Sequence, residues 1–447
     1  MTLADDTTKP FHLNGNFAPV MDEITAHDLE VIGALPPELD GLYVRNGANP
    51  PNADTIHWFL GQGMLHGVRI EGGRASWYRN RYVRTALLDQ PETPRITEDM
   101  SFDRTISLAN THVIRHAGKI LALEEGSFPW VVDDQLDTVG SHDFDGKLDT
   151  AMTAHPKECP ETGELHFFGY GQLAPYLTYH VADADGRIIR SMEIPVNGPT
   201  MIHDFGVSRR HALFMDLPVV FDMEAAMLGQ MPFHWSDDYP ARVGVLPRDT
   251  DDIGELRWFE VDPCYVFHPL NAFDDGDDVV FDVCRISELW RTAGEFDTDG
   301  TTTLHRWRFD MSTGTTKEET LHERPQDFPR VPDALTGLQH RYGYCTATGG
   351  MEILGATELF QHDLVTGSVT SHNFGAGRHP GEGVFVPAAN ATSENDGWVM
   401  TYVHDDAEGA SEFVVLDATD FAAAPVARVP LPQRVPYGFH GSWLSSS

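Results

Sequence analysis

Four histidines stand in local settings from which imidazoles could reach a common metal. They are His155 in Thr153-Ala154-His155-Pro156, His203 in Met201-Ile202-His203-Asp204-Phe205-Gly206, His268 in Val266-Phe267-His268-Pro269 and His440 in Gly438-Phe439-His440-Gly441. Each follows or ends an apolar stretch, so the chain carries the ring inward, where its nitrogens need a partner. The sequence holds 22 histidines, and a lone one behind a strand is ordinarily a satisfied core or loop imidazole. No pair of the four has the i, i+4 spacing of a helical zinc site, so only the fold can assemble them. Their separations of 48, 65 and 172 residues are close to one, one and three periods of a blade-like repeat. Spacing alone leaves the choice open, because other sets drawn from the 22 can be made to fit the same period.

The elements that must position these residues are strands. Short runs of Val, Ile, Phe, Tyr and Trp recur between Gly, Asp and Asn turns, while helical periodicity is scarce. Hairpins are expected at His66 to Tyr82 around Glu71-Gly72-Gly73 and at Leu177 to Ile194 around Asp183-Ala184-Asp185-Gly186. Two more are expected around Ser312-Thr313-Gly314 and Val365-Thr366-Gly367. Their intervals of roughly 55 residues, or about twice that, suggest repeated antiparallel sheets and about seven blades. A β-propeller fits, a sandwich is the alternative, and the copies are too dissimilar to fix the blade number. Met223 to Leu228 is the expected short helix, opening an apolar insert through Met231, Phe233 and Trp235.

With 447 residues, 41% of them apolar, the chain can bury a large core as one domain over 1–447. Its 68 acidic against 31 basic residues give a formal charge of −37, which repels phosphate backbones and excludes nucleic acid as an expected partner. Met1 to Asn16 lacks an apolar run of signal length and no later stretch reaches membrane-spanning length, so a cytoplasmic location is expected. Cys159, Cys264, Cys284 and Cys345 are far apart and unpaired in pattern, and are expected to be reduced bystanders.

At the four histidines and beyond them the chain resembles a carotenoid cleavage oxygenase, over nearly its whole length. Asn14-Gly15-Asn16-Phe17-Ala18-Pro19 and Gly41-Leu42-Tyr43-Val44-Arg45-Asn46-Gly47 are similar to that family's N-terminal region. His57-Trp58-Phe59 with Gly61, Gly63-Met64 and His66 is similar to its next motif, with Leu60 and Gln62 where acidic residues are usual. Ala154-His155-Pro156-Lys157 with Glu161-Thr162-Gly163-Glu164-Leu165, then His203-Asp204-Phe205, His268-Pro269-Leu270-Asn271-Ala272-Phe273 and Gly438-Phe439-His440-Gly441 follow in order. The resemblance implies an all-β, seven-bladed β-propeller with loops and short helices capping one face. It also implies Fe(II) held by four neutral histidines, and a tunnel for a long apolar substrate.

The resemblance further maps three supporting carboxylates onto Glu125, Asp327 and Glu382, whose task is to accept the free N–H of a ligating imidazole. Glu is usual at the second of these; Asp327 is one methylene shorter and is expected to need a water or a backbone shift. Thr111 resembles a residue that crowds one open iron position. Phe59, Trp130, Phe205 and Phe273, near the motifs, are candidates for the tunnel wall. The segment Phe221 to Trp235 resembles one by which relatives touch membranes, implying peripheral hydrophobic contact.

Imidazole suits zinc, copper and nickel as well as iron, so the family likeness and not the ligand type points to Fe(II). The expected reaction is oxidative cleavage of one C=C bond of a carotenoid or apocarotenoid by dioxygen, giving two carbonyl products without a separate reductant. Stilbene-cleaving members commonly carry Lys before the first supporting Glu; Glu124 stands there and is expected to repel a phenolate. The alternatives are a stilbene-cleaving oxygenase, a polyene isomerase with the same ligands and a non-catalytic propeller. A calcium-dependent hydrolase would need oxygen ligands, whereas chemistry alone does not dismiss zinc.

Overall fold

Alternating apolar residues make strands that bury a face, and in the computed structural model such strands pair antiparallel throughout. It describes residues 9–446 except 53, 54, 56, 98–100, 229, 292–299 and 350–354. Seven sheets of four or more strands occur among the described residues, with a separate small ribbon of Val219–Phe221 and Phe233–Trp235.

Contacts are densest within two units. The first comprises the described residues of Met1–Asp149, Ala356–Gln361 and Val369–Ser447. Its strand Gly41–Ala48 is buried along its whole length, and the two-residue side-chain period divides it between two cores. Tyr43 packs with Val68, Val384, Met400 and Phe413, whereas Leu42 and Val44 pack with Leu65, Val113, Ile120 and Val132. Fully burying each such aliphatic or aromatic side chain contributes roughly 1.5–3 kcal/mol. Gly41–Ala48 pairs on one side with Gly63–Glu71 and on the other with Gly441–Ser445, so residues some 400 positions apart share a sheet.

The second unit comprises the described residues of Thr150–Gly355 and His362–Ser368. Leu165–Tyr170, Leu177–Ala182 and Ile188–Glu193 stack as a meander with the short strand Lys157–Glu158, and Gly206–Val207, His211–Asp216, Arg242–Pro247 and Arg257–Glu260 form another. Phe168, Tyr179, Val181, Phe205 and Phe214 share one core.

All four expected hairpins form. Their tight turns use left-handed residues, with φ of +53° and +75° at Gly72 and Gly73, +80° at Gly186, +76° at Gly314 and +71° at Gly367. The expected short helix is Met223–Met227, started by Asp222, whose carboxylate accepts from the Glu224 and Ala225 N–H groups. None of its residues is buried, and Met227 and Leu228 are 82% and 67% exposed. All four cysteines are buried free thiols.

The loop carrying His440 is tied to the first unit by main-chain bonds. The Phe439 N–H donates to Asn46 O at 3.0 Å, the Asn46 N–H to His440 O at 3.1 Å and the His440 N–H to Thr111 O at 3.2 Å. The fully buried Asn46 side chain donates to Ala109 O at 2.8 Å and to His112 O at 3.2 Å, joining the same segments. The glycines of the Gly438-Phe439-His440-Gly441 motif follow from crowding. A Cβ on Gly438 would lie 2.7 Å from Arg45 Cζ, and one on Gly441 would lie 2.9 Å from Tyr43 Oη. Asn46→Ala, which removes the donor to the buried Ala109 carbonyl and the partly buried His112 carbonyl, is expected to lower unfolding free energy by about 1–3 kcal/mol in chemical denaturation. An unchanged value would show that Asn46 does not hold this junction.

Candidate metal centre

Each of the four histidines leaves the chain at an irregular point, where a strand begins or is interrupted. His155 and His203 precede the short strands Lys157–Glu158 and Gly206–Val207, and His440 precedes Gly441–Ser445. His268 lies inside Tyr265–Asp275, where the pairing register shifts between Val266 and Pro269. Pro269 has no N–H to give the ladder, and such a bulge re-aims the adjacent side chain.

The fold brings together all four. One ligand atom from each of His155, His203, His268 and His440 falls within 4.8 Å of the others. The rings are 4–9% exposed. Nε2 of His203 lies 3.0 Å from Nε2 of His155 and 3.2 Å from Nε2 of His268. With metal–nitrogen bonds near 2.1 Å, ligands at right angles sit about 3.0 Å apart and tetrahedral ones about 3.4 Å. The observed spacings fall in the range that imidazoles sharing one ion adopt.

The Nδ1 atoms turn toward carboxylates. His268 Nδ1 is 2.9 Å from Asp327 Oδ1, and His440 Nδ1 is 3.0 Å from Glu382 Oε1. With Nδ1–H donating in both, each ring presents the bare Nε2 that a metal requires. Further bonds fix the acceptors: Phe328 N–H donates to Asp327 Oδ1 at 2.8 Å, and Gly441 N–H to Glu382 Oε2 at 2.8 Å. Asp327 thus reaches its histidine directly, without the water anticipated for the shorter side chain. Its backbone supplies the reach: Phe328 takes a φ of +52° and the register shifts between Asp327 and Arg330.

A further carboxylate, that of Asp204 in His203-Asp204-Phe205, also lies against the cluster. Asp204, 2% exposed, places Oδ2 3.6 Å from His155 Nδ1 and receives Lys157 Nζ at 2.8 Å on Oδ1 and 3.0 Å on Oδ2. Burial pushes its carboxyl up from the ordinary range, with Lys157 pulling the other way.

Aromatic rings flank the imidazoles. Phe328 stacks on His268 at 5.1 Å between centroids, and Phe267 meets His203 edge-on at 5.3 Å. Both sit next to quoted site residues, which is the signal that could have found them. Among the earlier candidates, Phe205 is fully buried in the core with Phe168 and Phe214, and Phe273 packs against His340. Trp130 borders the core of Val113 and Ile120. Phe59 lies 5.7 Å from Phe439, the neighbour of His440.

Thr111 is half-buried, donates its hydroxyl to Asn110 Oδ1 at 2.8 Å and, through its carbonyl, receives the His440 N–H. Glu125 lies half-buried in the turn after Lys119–Leu123. Its neighbour Glu124 is not the unopposed anion that sequence suggested. Arg95 Nη1 meets Glu124 Oε1 at 3.1 Å. Burial works against its charge, but Arg95, Ser127 and the Gly126 N–H outweigh this and hold its carboxyl below the ordinary range.

The family model described as retinal pigment epithelial membrane protein matches residues 17–445. A carotenoid cleavage oxygenase of Mycobacterium tuberculosis is 37% identical over 99% of both chains. Carotenoid 9,10(9',10')-cleavage dioxygenase 1 of Arabidopsis thaliana is also 37% identical, over 99% of this chain and 91% of its own. The lignostilbene dioxygenase structure of Pseudomonas brassicacearum superposes with a TM-score of 0.88 at 29% identity, covering 98% of this chain and 99% of that one. The seven sheets are therefore blades of an all-β propeller. Similarity of this extent, over a buried set of four histidines, makes the chain a dioxygenase of the carotenoid cleavage oxygenase family.

Proposed function

We propose that the protein uses Fe(II) held by His155, His203, His268 and His440 to cleave one C=C bond of an apocarotenoid or carotenoid with dioxygen. The observation that carries this is the convergence of four buried imidazoles with Nε2 atoms 3.0 and 3.2 Å apart and no carboxylate among the ligands. When bound, Fe(II) supplies the electrons that let dioxygen react with a closed-shell alkene, which zinc in the same ligands cannot do.

The chain's own residues prepare the centre. Asp327 and Glu382 accept Nδ1–H from His268 and His440, which fixes the tautomer and partly offsets a dication lacking anionic ligands. Glu125 is assigned the same task on the strength of its motif. Thr111, whose carbonyl holds the His440 backbone, is assigned a place beside the centre, where its side chain would restrict the approach of small ligands. Phe267 and Phe328 line the histidines with apolar surface that excludes water and favours a polyene. The balance of atoms needs no added acid or base: both oxygen atoms of dioxygen end in the two carbonyls.

A stilbene-type substrate is the second reading. It is favoured by the likeness to a lignostilbene dioxygenase and by Arg95 beside Glu124, which supplies a cation near the position where related enzymes carry Lys. Access to a lipid-soluble substrate is assigned to Phe221–Trp235. Exposed Met227 and Leu228 there offer a hydrophobic contact that does not need attraction to anionic lipid. Among the described residues no helix is long and apolar enough to cross a membrane.

Anaerobic loading with Fe(II), followed by oxygen uptake and product mass analysis on apocarotenoid and stilbene panels, is the direct test. Uptake with paired carbonyl products is expected, and the panel that yields them names the substrate class. One bound iron with geometric isomers and no uptake would replace this proposal with an isomerase. His268→Ala is expected to lose iron on desalting, and full retention would remove that ring from the ligand set. Glu382→Leu is expected to weaken iron binding about 10–100-fold in chelator competition; unchanged affinity would leave Glu382 without its assigned task.

A further inference from the structure

We infer that Asp204 positions His155, with Lys157 as the anchor that aims its carboxylate. This goes beyond the three carboxylates of the family pattern and rests on the proposed metal centre.

The geometry starts from two ligand segments that are laced together. Thr153, fully buried, donates its hydroxyl to the carbonyl of His203 at 3.2 Å and receives the His155 N–H on the same oxygen at 3.1 Å. Lys157, two residues beyond His155, reaches back to Asp204, the residue after His203, and bonds both of its oxygens. Phe205 N–H donates to Asp204 Oδ1 at 2.6 Å, and the Phe205 ring is fully buried among Phe168, Tyr179 and Phe214. The carboxylate plane is therefore held by two donors through three contacts.

With that plane held, Oδ2 faces His155 Nδ1 at 3.6 Å. This is longer than a hydrogen bond, whose N···O distance is about 2.9 Å, so the contact is the electrostatic one of a buried carboxylate facing the ring edge. The ring's other nitrogen, Nε2, is the one that meets Nε2 of His203. His155 thus shares the orientation of His268 and His440, with one nitrogen toward the centre and the other facing a carboxylate, though this carboxylate stands outside hydrogen-bond distance. The clamp is also reciprocal: the neighbour of each ligand reaches the other ligand's segment, so a shift of either histidine is felt by both.

An ion pair that merely braces two loops would place Lys157 and Asp204 together without turning an oxygen to the imidazole. The test separates the two roles. Wild type, Asp204→Asn and Asp204→Leu are loaded anaerobically with Fe(II), and iron affinity is measured by chelator competition. The nitric oxide adduct of each is recorded by electron paramagnetic resonance, alongside thermal unfolding. Asparagine is isosteric, but its one oxygen is claimed by the Phe205 N–H and Lys157 at the Oδ1 position, so its amide NH2 stands where Oδ2 faced His155; leucine removes both polar ends.

If Asp204 positions His155, Asp204→Leu and Asp204→Asn both weaken iron about 10–100-fold and alter the rhombicity of the signal, and Asp204→Asn does so at the wild-type melting temperature. Wild-type affinity and spectrum in either variant overturn the inference. So does a loss in both variants that tracks a lowered unfolding temperature, which is the mark of a brace. If Asp204→Leu fails to fold, the Asp204→Asn spectrum decides: an unchanged rhombicity overturns the positioning role. Failure of wild type to retain iron would instead refute the metal centre itself.

Discussion

Four neutral imidazoles can hold a dication only if each presents the correct nitrogen, and the rest of the centre depends on that constraint. A neutral imidazole has one N–H and one lone pair, so an acceptor at Nδ1 determines what Nε2 can do. Asp327 and Glu382 meet this need at 2.9 and 3.0 Å, each steadied by a backbone N–H from the residue next in chain to Asp327 or to His440. Since all four ligands are uncharged, the positive charge of a bound ion must be offset from the surrounding shell. Burying the carboxylates there keeps their field from being spread into water.

The propeller suits this task because the ligands sit on irregular joints between regular sheets. A regular strand points alternate side chains at the cores, as Leu42, Tyr43 and Val44 do. His268 escapes that alternation only through the bulge at Pro269, and His440 through a loop whose glycines let Arg45 and Tyr43 approach closely. The sheets supply rigidity and the joints supply direction.

Local chemistry was legible in the sequence. Gly72, Gly186, Gly314 and Gly367 announced their hairpins because a left-handed turn residue can be read without knowing its partner strand. The four clustering histidines were legible from their motifs, though their spacing alone was not decisive. Contacts made through space were hidden. Glu124 looks like a bare anion until Arg95, 29 residues earlier, is seen beside it. Asp204 lies next to a ligand in sequence yet faces a different one, 49 residues earlier, across the fold. The direct reach of Asp327 depended on a left-handed Phe328, a conformation that the residue type argues against. Phe205 and Phe273 were drawn into the cores because proximity to a motif says nothing about which side of a strand a ring takes.

The 172 residues between His268 and His440 also set a clock. At roughly 5–20 residues per second, a ribosome delivers the fourth ligand about 10–30 s after the third. During that interval the nascent chain exposes three imidazoles to whatever divalent ions the cell offers, and ions that bind nitrogen tightly have the advantage. The four-histidine site can therefore choose its ion only once Gly441–Ser445 has joined Gly41–Ala48 and brought His440 into place.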